Sequence, residues 1–313
     1  MDTRKNYRKM DKRKILIVYH RADYDGIFSA IITKKYYESK GVKIDTLGWN
    51  YGDDLIDIHD KIPVYQGVVM VDVCLPTPQM IELKESGRLT WIDHHETAIT
   101  ESKENGFDSV PGKREVGIAA CELTWKYFNP AKETPTLISY AGAYDVWNKE
   151  RYNWKEEVVP LQYGLKDEYG LSLKKLETDW DDLLEDNEWI MNKGLVIYEW
   201  IQHISEAWVQ NCGFEVQVGE QALKGIAIVT PMTGSLVFES VLSKYDLFLV
   251  VQVRDNASRI SVSMYTEPDK DLGGFSCGTY LKEKYGGGGH KCSAGCNNID
   301  QETFKRLIYE HKF

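Results

Sequence analysis

Four short apolar runs of this sequence end in aspartate or histidine side chains, and this repetition constrains the fold more than any other feature. The run at residues 89–92 leads directly into Asp93, His94 and His95. Parallel α/β sheets place reactive side chains at the carboxyl ends of their strands. The pattern therefore predicts one site at which three histidines and five aspartates meet. The residues that the other three run ends supply are His20, Asp23, Asp25, Asp72 and Asp145.

The order of the predicted elements indicates the fold class. From residue 15 onward, short runs of β-forming residues alternate with segments of helical spacing, which predicts an α/β fold with a parallel sheet. Thr77 is the expected N-cap of the second helix. Helices of the first domain are expected at residues 26–37, 77–86, 117–128 and 135–144.

A long amphipathic helix is expected to connect this domain to a second one. It covers residues 186–211, where large apolar side chains recur at helical spacing. Strands and helices beyond it predict a smaller α+β domain. The predicted domain limits are a basic tail at 1–14, the first domain at 15–186, the linker helix at 187–211 and the second domain at 212–313.

Charge and composition narrow the class of function. The formal net charge of −10 argues against a protein that coats long nucleic acids, because such binding depends on basic surface. The six cysteines show no disulfide framework, and residues 1–14 lack the apolar segment of a signal peptide. No apolar run reaches the roughly 20 residues that cross a bilayer. We therefore expect a cytoplasmic protein without a membrane partner.

The spacing of these residues resembles a known family. His20, Asp23 and Asp25-Gly26 form an HxxDxDG motif, and Asp72, Asp93-His94-His95 and Asp145 follow in order. These segments resemble the four motifs of the DHH phosphoesterase superfamily. Gly286-Gly287-Gly288-Gly289-His290 resembles the GGGH signature of the DHH-associated domain. The family that the chain resembles includes nanoRNases, dinucleotide phosphodiesterases, RecJ-like exonucleases and exopolyphosphatase-related proteins.

The resemblance also implies roles for single residues. Asp72 bridges two divalent cations, and His95 faces the substrate phosphate as an electrostatic stabiliser or acid. Asp93 is not itself a ligand but orients a neighbouring imidazole. One cation is held by His20, Asp23 and Asp72, and the other by Asp25, Asp72, His94 and Asp145. The substrate is held by Gly287, Gly288, Gly289 and His290. Lys291 partly replaces the positive charge of an arginine side chain that many relatives carry and this chain lacks.

The chemistry of the donors favours a particular ion and reaction. Two cations about 3.5 to 4 Å apart can activate water and stabilise charge on a phosphodiester. Mixed imidazole and carboxylate donors favour Mn²⁺, with Mg²⁺ or Co²⁺ as alternatives. The leading hypothesis is a Mn²⁺-dependent phosphodiesterase or phosphatase acting on short oligonucleotides or dinucleotides.

Two alternative functions stand beside this hypothesis, and the role of one residue is left open. An exopolyphosphatase or nucleotide phosphatase would need phosphate contacts but no surface for base stacking. A catalytically idle nucleotide- or RNA-binding module would take up nucleotide without manganese. Tyr265 stands where many relatives carry an arginine, and it either stacks on a base or is an exposed strand residue. A homodimer is left open.

Overall fold

A computed structural model of the chain describes residues 14–55, 62–231, 234–254, 259–297 and 299–313. The predicted basic tail therefore lies outside the described residues, except for Lys14, which opens the first strand. The chain divides into two compact units, of which the first ends at Leu195 and the second begins at Val196.

The first unit contains a parallel sheet of four strands in the order β2-β1-β3-β4. Leu16, Ile17 and Val18 at the centre of β1 are almost completely buried, as expected for a strand covered on both faces. Burying each such side chain stabilises the fold by about 1.5–3 kcal/mol. The strands are β1 Lys14–His20, β2 Lys43–Trp49, β3 Gly67–Val71 and β4 Leu89–Ile92.

Helices alternate with and follow the strands of this sheet, and the last of them, α9, runs from the first unit into the second. The first ten residues of α1 are all buried, so this helix lies between the sheet and other helices. The helices are α1 Tyr24–Glu38, α2 Thr77–Glu85, α3 Glu96–Glu104, α4 Ala120–Phe128, α5 Thr136–Asp145, α6 Val159–Tyr169, α7 Leu173–Thr178, α8 Trp180–Glu185 and α9 Glu188–Cys212.

The predicted start of helix α2 is wrong in one respect. Thr77 is not the N-cap of α2, because Pro76 occupies that position and makes no side-chain cap. The Thr77 hydroxyl donates instead to Glu101 of α3. Pro78, the second residue of the helix, has a φ angle fixed in the helical range and no N–H that would need a cap, so the helix starts without a polar cap.

An extended segment continues the sheet beyond β4. The N–H of Trp91 donates to the Pro111 carbonyl at 2.8 Å, and the N–H of Asp93 donates to the Lys113 carbonyl at 3.1 Å. Gly112 makes this approach possible, because a Cβ atom at that position would lie 1.9 Å from the Trp91 carbonyl oxygen. The segment holds β4 and its polar end from the outer side.

The second unit is built on a mixed sheet in the order β5-β6-β7-β8-β10-β9. Apolar clusters cover both of its faces. Its regular elements are β5 Gly213–Val218, β6 Leu223–Val229, β7 Leu247–Arg254, β8 Arg259–Tyr265, helix α10 Cys277–Tyr285, β9 Gly288–Gly289, β10 Ser293–Cys296 and helix α11 Gln301–Lys305.

The predicted α/β class is confirmed by these two sheets. The segment Ser235–Lys244 forms 3₁₀ turns. Among the described residues, none of the helices combines the length and the apolarity that crossing a bilayer requires.

Candidate metal centre

The register of the first sheet brings three strand ends to one edge. Tyr19 pairs with Val71, and Val71 pairs with Ile92. The next residue in each strand is therefore polar and stands at the same level. These three neighbouring residues are His20, Asp72 and Asp93.

Asp72 leaves its strand in an unusual backbone conformation. Its φ angle is 58°, in the left-handed region that aspartate and asparagine enter more readily than most residues. Its N–H donates to the Ile92 carbonyl at 2.9 Å, which holds it against β4. The side chain is almost completely buried among the other candidate ligands. Such strain is often kept at functional positions because the surroundings enforce it.

One group of donors surrounds His20. Its Nδ1 lies 2.9 Å from Oδ2 of Asp23 and 3.5 Å from Oδ2 of Asp72. Asp23 is also the N-cap of α1, since its Oδ1 accepts the N–H of Gly26 at 3.0 Å. Ligand atoms of the three side chains all lie within 4.8 Å of one another, which is close enough to hold one metal ion.

A second group surrounds His94. Its Nε2 lies 3.5 Å from Oδ2 of Asp25, 3.3 Å from Oδ1 of Asp72 and 3.3 Å from Oδ2 of Asp145. Asp145 is the last residue of α5. Asp72 thus directs one oxygen toward each group. The structure brings together all six residues for which a role as metal ligand was expected: His20, Asp23, Asp25, Asp72, His94 and Asp145.

Two carboxylate oxygens in the second group lack the partners that buried polar atoms normally have. Oδ1 of Asp72 and Oδ2 of Asp145 are both buried, and neither makes a hydrogen bond of acceptable geometry. Buried acceptors of this kind are costly unless something compensates them. Four carboxylates and two imidazoles at this spacing fit a pair of divalent cations.

The charges in the cluster perturb one another strongly. Burial raises the pKa of Asp72 well above its usual value, and the charge of Asp25 raises it further. Burial and the charge of Asp25 also raise the pKa of Asp145. Burial alone would lower the pKa of His20, but the adjacent carboxylates raise it to about 11. Without a cation, the cluster therefore retains protons on groups that would otherwise lose them.

Both carboxylate oxygens of Asp93 have hydrogen-bond partners among the neighbouring groups. Its Oδ1 accepts the N–H groups of His94 and His95 at 2.7 and 3.1 Å and also lies 2.7 Å from Nδ1 of His95. Its Oδ2 accepts Nε1–H of Trp91 at 3.1 Å. Although burial raises the pKa of Asp93, the charge of His95 lowers it to about 2. This ionised carboxylate sets the orientation of the His95 ring, as a positioning group does.

Tyr51 lies beside the cluster and was not predicted from the sequence. Its ring centroid is 6.0 Å from that of His20 and 5.8 Å from that of His95. A fraction of 42 % of this residue is exposed. The only signal in the sequence is its place just after the strand that ends at Trp49, which is a common position for site residues.

The glycine run of the second unit forms a tight hairpin. Gly286 ends α10 in a left-handed conformation with φ 65°. A Cβ atom at Gly287 would lie 2.4 Å from the Gly295 carbonyl oxygen, so the chains approach too closely for a side chain. The N–H groups of Gly287 and His290 donate to the carbonyls of Leu281 and Ser293. These internal bonds leave fewer N–H groups for an anion than the glycine count alone suggests.

Tyr265 is not the exposed strand residue of one expectation, and the other expectation, stacking on a base, stays a prediction. It ends β8, and its ring is half-buried against the apolar cluster that contains Phe248 and Val250. Burial raises the pKa of its hydroxyl. The packing against this cluster shows that the residue contributes to the core of the second unit.

The fold and the cluster together define a class: a parallel α/β domain whose strand ends carry a grouped set of metal-ligand side chains, followed by a mixed α+β unit. Residues 14–144 match the model of the DHH family, N-terminal domain. This match confirms the resemblance to the DHH superfamily over that segment of the chain. The comparison with curated proteins found no match.

Solved structures show the same fold at low identity. A pGpG-specific phosphodiesterase from Vibrio cholerae is 13% identical, with a TM-score of 0.52 and coverage of 95% of this chain and 97% of the other. An exopolyphosphatase-related protein from Bacteroides fragilis is 13% identical, with a TM-score of 0.52 and coverage of 96% and 91%. RecJ in complex with Mn²⁺ from Thermus thermophilus is 14% identical, with a TM-score of 0.52 and coverage of 95% and 51%.

Proposed function

We propose that this chain is a metal-dependent phosphodiesterase that hydrolyses linear dinucleotides or short oligonucleotides. The observation that carries the proposal is that two groups of donors share the Asp72 carboxylate, with one oxygen toward each. The first cation would be held by His20, Asp23 and Asp72, and the second by Asp25, Asp72, His94 and Asp145. Bound divalent cations supply a water of lowered pKa and neutralise developing charge on phosphate oxygens.

The imidazoles give a reason to prefer Mn²⁺. Each group contains one histidine nitrogen among carboxylate oxygens, and Mg²⁺ prefers surroundings made only of oxygen. The family member RecJ has been solved in complex with Mn²⁺, which supports the same choice. We therefore propose Mn²⁺ as the working ion, with Mg²⁺ and Co²⁺ as weaker substitutes.

His95 is proposed to contact the substrate phosphate. Its Nδ1 is held by Asp93, so the ring has a fixed orientation before substrate arrives. Against the lowering effect of burial, the charge of Asp93 raises the pKa of His95. In its protonated form the ring can stabilise the negative charge of the phosphate or donate a proton to the leaving oxygen. In the second unit, Gly287 to Gly289, His290 and Lys291 remain the proposed contacts to the rest of the substrate.

Tyr51 favours a nucleotide over polyphosphate as the substrate. The loop that carries it is held firmly, since Asn50 accepts the N–H of Arg21 at 3.2 Å and Asp53 pairs with the Arg21 guanidinium at 2.9 Å. The Tyr51 hydroxyl accepts the N–H of Cys74 at 3.1 Å. A fixed and partly exposed ring offers a stacking surface at little entropic cost. Polyphosphate has no ring that could use this surface.

The Tyr51→Ala variant tests this preference. Stacking of one base on an aromatic side chain contributes about 1–3 kcal/mol, so KM for a linear dinucleotide should rise about 10-fold or more. The ratio of kcat/KM for dinucleotide to that for polyphosphate should fall by the same factor. Tyr127→Ala is the matched control, because Tyr127 is 38 % exposed on α4 and has no part in the site.

A substrate panel tests the proposed function itself. Wild-type protein is assayed with linear and cyclic dinucleotides, short RNA and DNA oligonucleotides, and polyphosphate, with Mn²⁺ and with Mg²⁺. We expect Mn²⁺-stimulated release of mononucleotides and its loss in His94→Ala. Preferential turnover of polyphosphate would favour the exopolyphosphatase hypothesis. Nucleotide binding without uptake of Mn²⁺ would favour the idle binding module.

A further inference from the structure

Helix α4 begins without a capping side chain of its own. Its N-cap residue, Ala119, makes no side-chain hydrogen bond. Asp25 supplies the missing acceptors from α1, because the N–H groups of Ala120 and Cys121 donate to its two oxygens at 2.8 and 2.6 Å. The carboxylate also faces the positive end of the helix dipole. The position of Asp25 is therefore tied to the first turn of α4.

The next residue of α4 is a buried acid with one strong partner. The side chain of Glu122 is 1% exposed, and that of Arg151 is 35% exposed. Nη1 of Arg151 donates to Oε2 of Glu122 at 2.8 Å, and Nη2 donates to Oε1 at 2.8 Å. This two-point contact fixes the orientation of the carboxylate as well as its position, which a lysine could not do.

Glu122 also touches the helix that carries Asp145. A Cβ atom at Gly142 of α5 would lie 2.7 Å from Oε2 of Glu122, so the helix backbone packs directly on this carboxylate. Asp145 follows Gly142 by three residues, which is nearly one turn of the same helix. Arg151 then returns to Glu122 from the segment that follows Asp145. The contacts form a closed chain from Asp25 to Asp145.

We infer that the Glu122–Arg151 pair is a clasp that sets the separation of Asp25 and Asp145, and thereby the affinity for the second cation. The inference rests on the proposed two-cation site and adds two positioning residues to it. Neither residue is a proposed ligand. Their part is to hold α4 and α5 together so that carboxylates from two different helices meet at His94.

Loss of the clasp should weaken the affinity for the second cation and leave the affinity for the first unchanged. The first group depends on His20 at the end of β1 and on Asp23, which is held by its own N-cap hydrogen bond. Among the hydrogen bonds and ion pairs of the described residues, none joins Glu122 or Arg151 to that group. A defect confined to the second cation therefore distinguishes positioning from general loss of stability.

Calorimetric titration with Mn²⁺, without substrate, is the test. The wild-type chain should bind two Mn²⁺ per molecule. Arg151→Ala should retain the first with unchanged affinity and bind the second about 10- to 100-fold more weakly, the range typical when a residue that orients metal ligands is lost. Arg151→Lys keeps the charge but not the two-point contact. Its affinity for the second Mn²⁺ should lie between those of the wild-type chain and Arg151→Ala. Gly142→Ala keeps both charges but inserts a methyl group into the contact, and should also weaken only the second cation.

Lys34→Ala is the matched control, because it removes an ion pair to Glu177 in the same unit. Lys34 lies nine residues beyond Asp25 along α1, about 14 Å by helix rise. Its loss should leave both affinities unchanged. Two cations bound with wild-type affinity by Arg151→Ala, or equal weakening of both, would overturn the clasp alone. If Arg151→Ala does not fold, Arg151→Lys and Gly142→Ala decide by the same criteria. A wild-type chain that binds fewer than two Mn²⁺ would overturn the proposed function together with the clasp.

Discussion

The Asp72→Asn variant is expected to lose hydrolysis by about 10³-fold or more while its metal-free form becomes more stable than wild type. Asparagine tolerates the left-handed backbone at this position, where φ is 58°, so the local fold should survive. The substitution removes the carboxylate that the two donor groups share. Loss of about 4 kcal/mol of transition-state stabilisation corresponds to about three orders of magnitude in rate.

The gain in stability has a separate cause. Burial and the charge of Asp25 disfavour the ionised form of Asp72, which raises its pKa. Asparagine keeps the shape of the side chain but has no acid group, so the folded variant bears neither the cost of burying the ionised form nor that of taking up a proton. Thermal unfolding in the presence of a chelator measures this effect, and Asp181→Asn on the exposed surface is the control. Retention of more than a tenth of the activity, or a lower melting temperature without metal, would contradict the account.

Cation binding should stabilise the protein strongly, and more so as the pH rises. With free Mn²⁺ at about 100 times Kd, each site contributes about 2.7 kcal/mol. Two sites together correspond to a rise in Tm of roughly 10–20 °C. The ligands must lose their protons to bind a metal ion, so binding strengthens with increasing pH.

The metal-free protein should show the opposite pH dependence. The pKa of His20 is raised from 6.5 to about 11, so its contribution to stability is complete below 6.5 and is lost as the pH rises toward 11. The raised pKa values of Asp72 and Asp145 act in the same direction, because both groups lose protons that the folded state holds more tightly than the unfolded state. The lowered pKa of Asp93, about 2, contributes fully above its ordinary 3.8 and adds no slope near neutral pH.

Scanning calorimetry measures both trends on one preparation. The difference in Tm between the Mn²⁺-loaded and the chelator-treated protein should be larger at pH about 8.5 than at pH about 6.5. His311 is exposed in the second unit, and His311→Gln should leave the difference unchanged. A difference that shrinks as the pH rises would mean that the cluster does not bind cations as proposed.

The fold class and the assembly of the cluster follow from information that is local in the sequence. The end of an apolar run marks the end of a strand, and parallel register then aligns the next residues of neighbouring strands. His20, Asp72 and Asp93 stand at one edge for this reason. Asp145 likewise lies at the end of an apolar run, but it reaches the cluster from the end of helix α5 rather than from a strand.

Contacts between distant backbone groups could not be predicted in this way. Asp25 caps a helix that begins 95 residues later, and the helix expected from residue 117 starts only at Ala120, where that cap is available. The pairing of residues 111–115 with β4 likewise depends on Gly112, whose role appears only when Trp91 lies against it. The Glu122–Arg151 pair joins two segments with no motif in either.

Diffraction from Mn²⁺-soaked crystals near the manganese absorption edge would locate the bound cations themselves. We expect two anomalous peaks in the first unit, one beside His20 and Asp23 and the other beside His94 and Asp145, with Asp72 next to both. A single peak, or peaks away from Asp72, would contradict a site in which one carboxylate serves two cations.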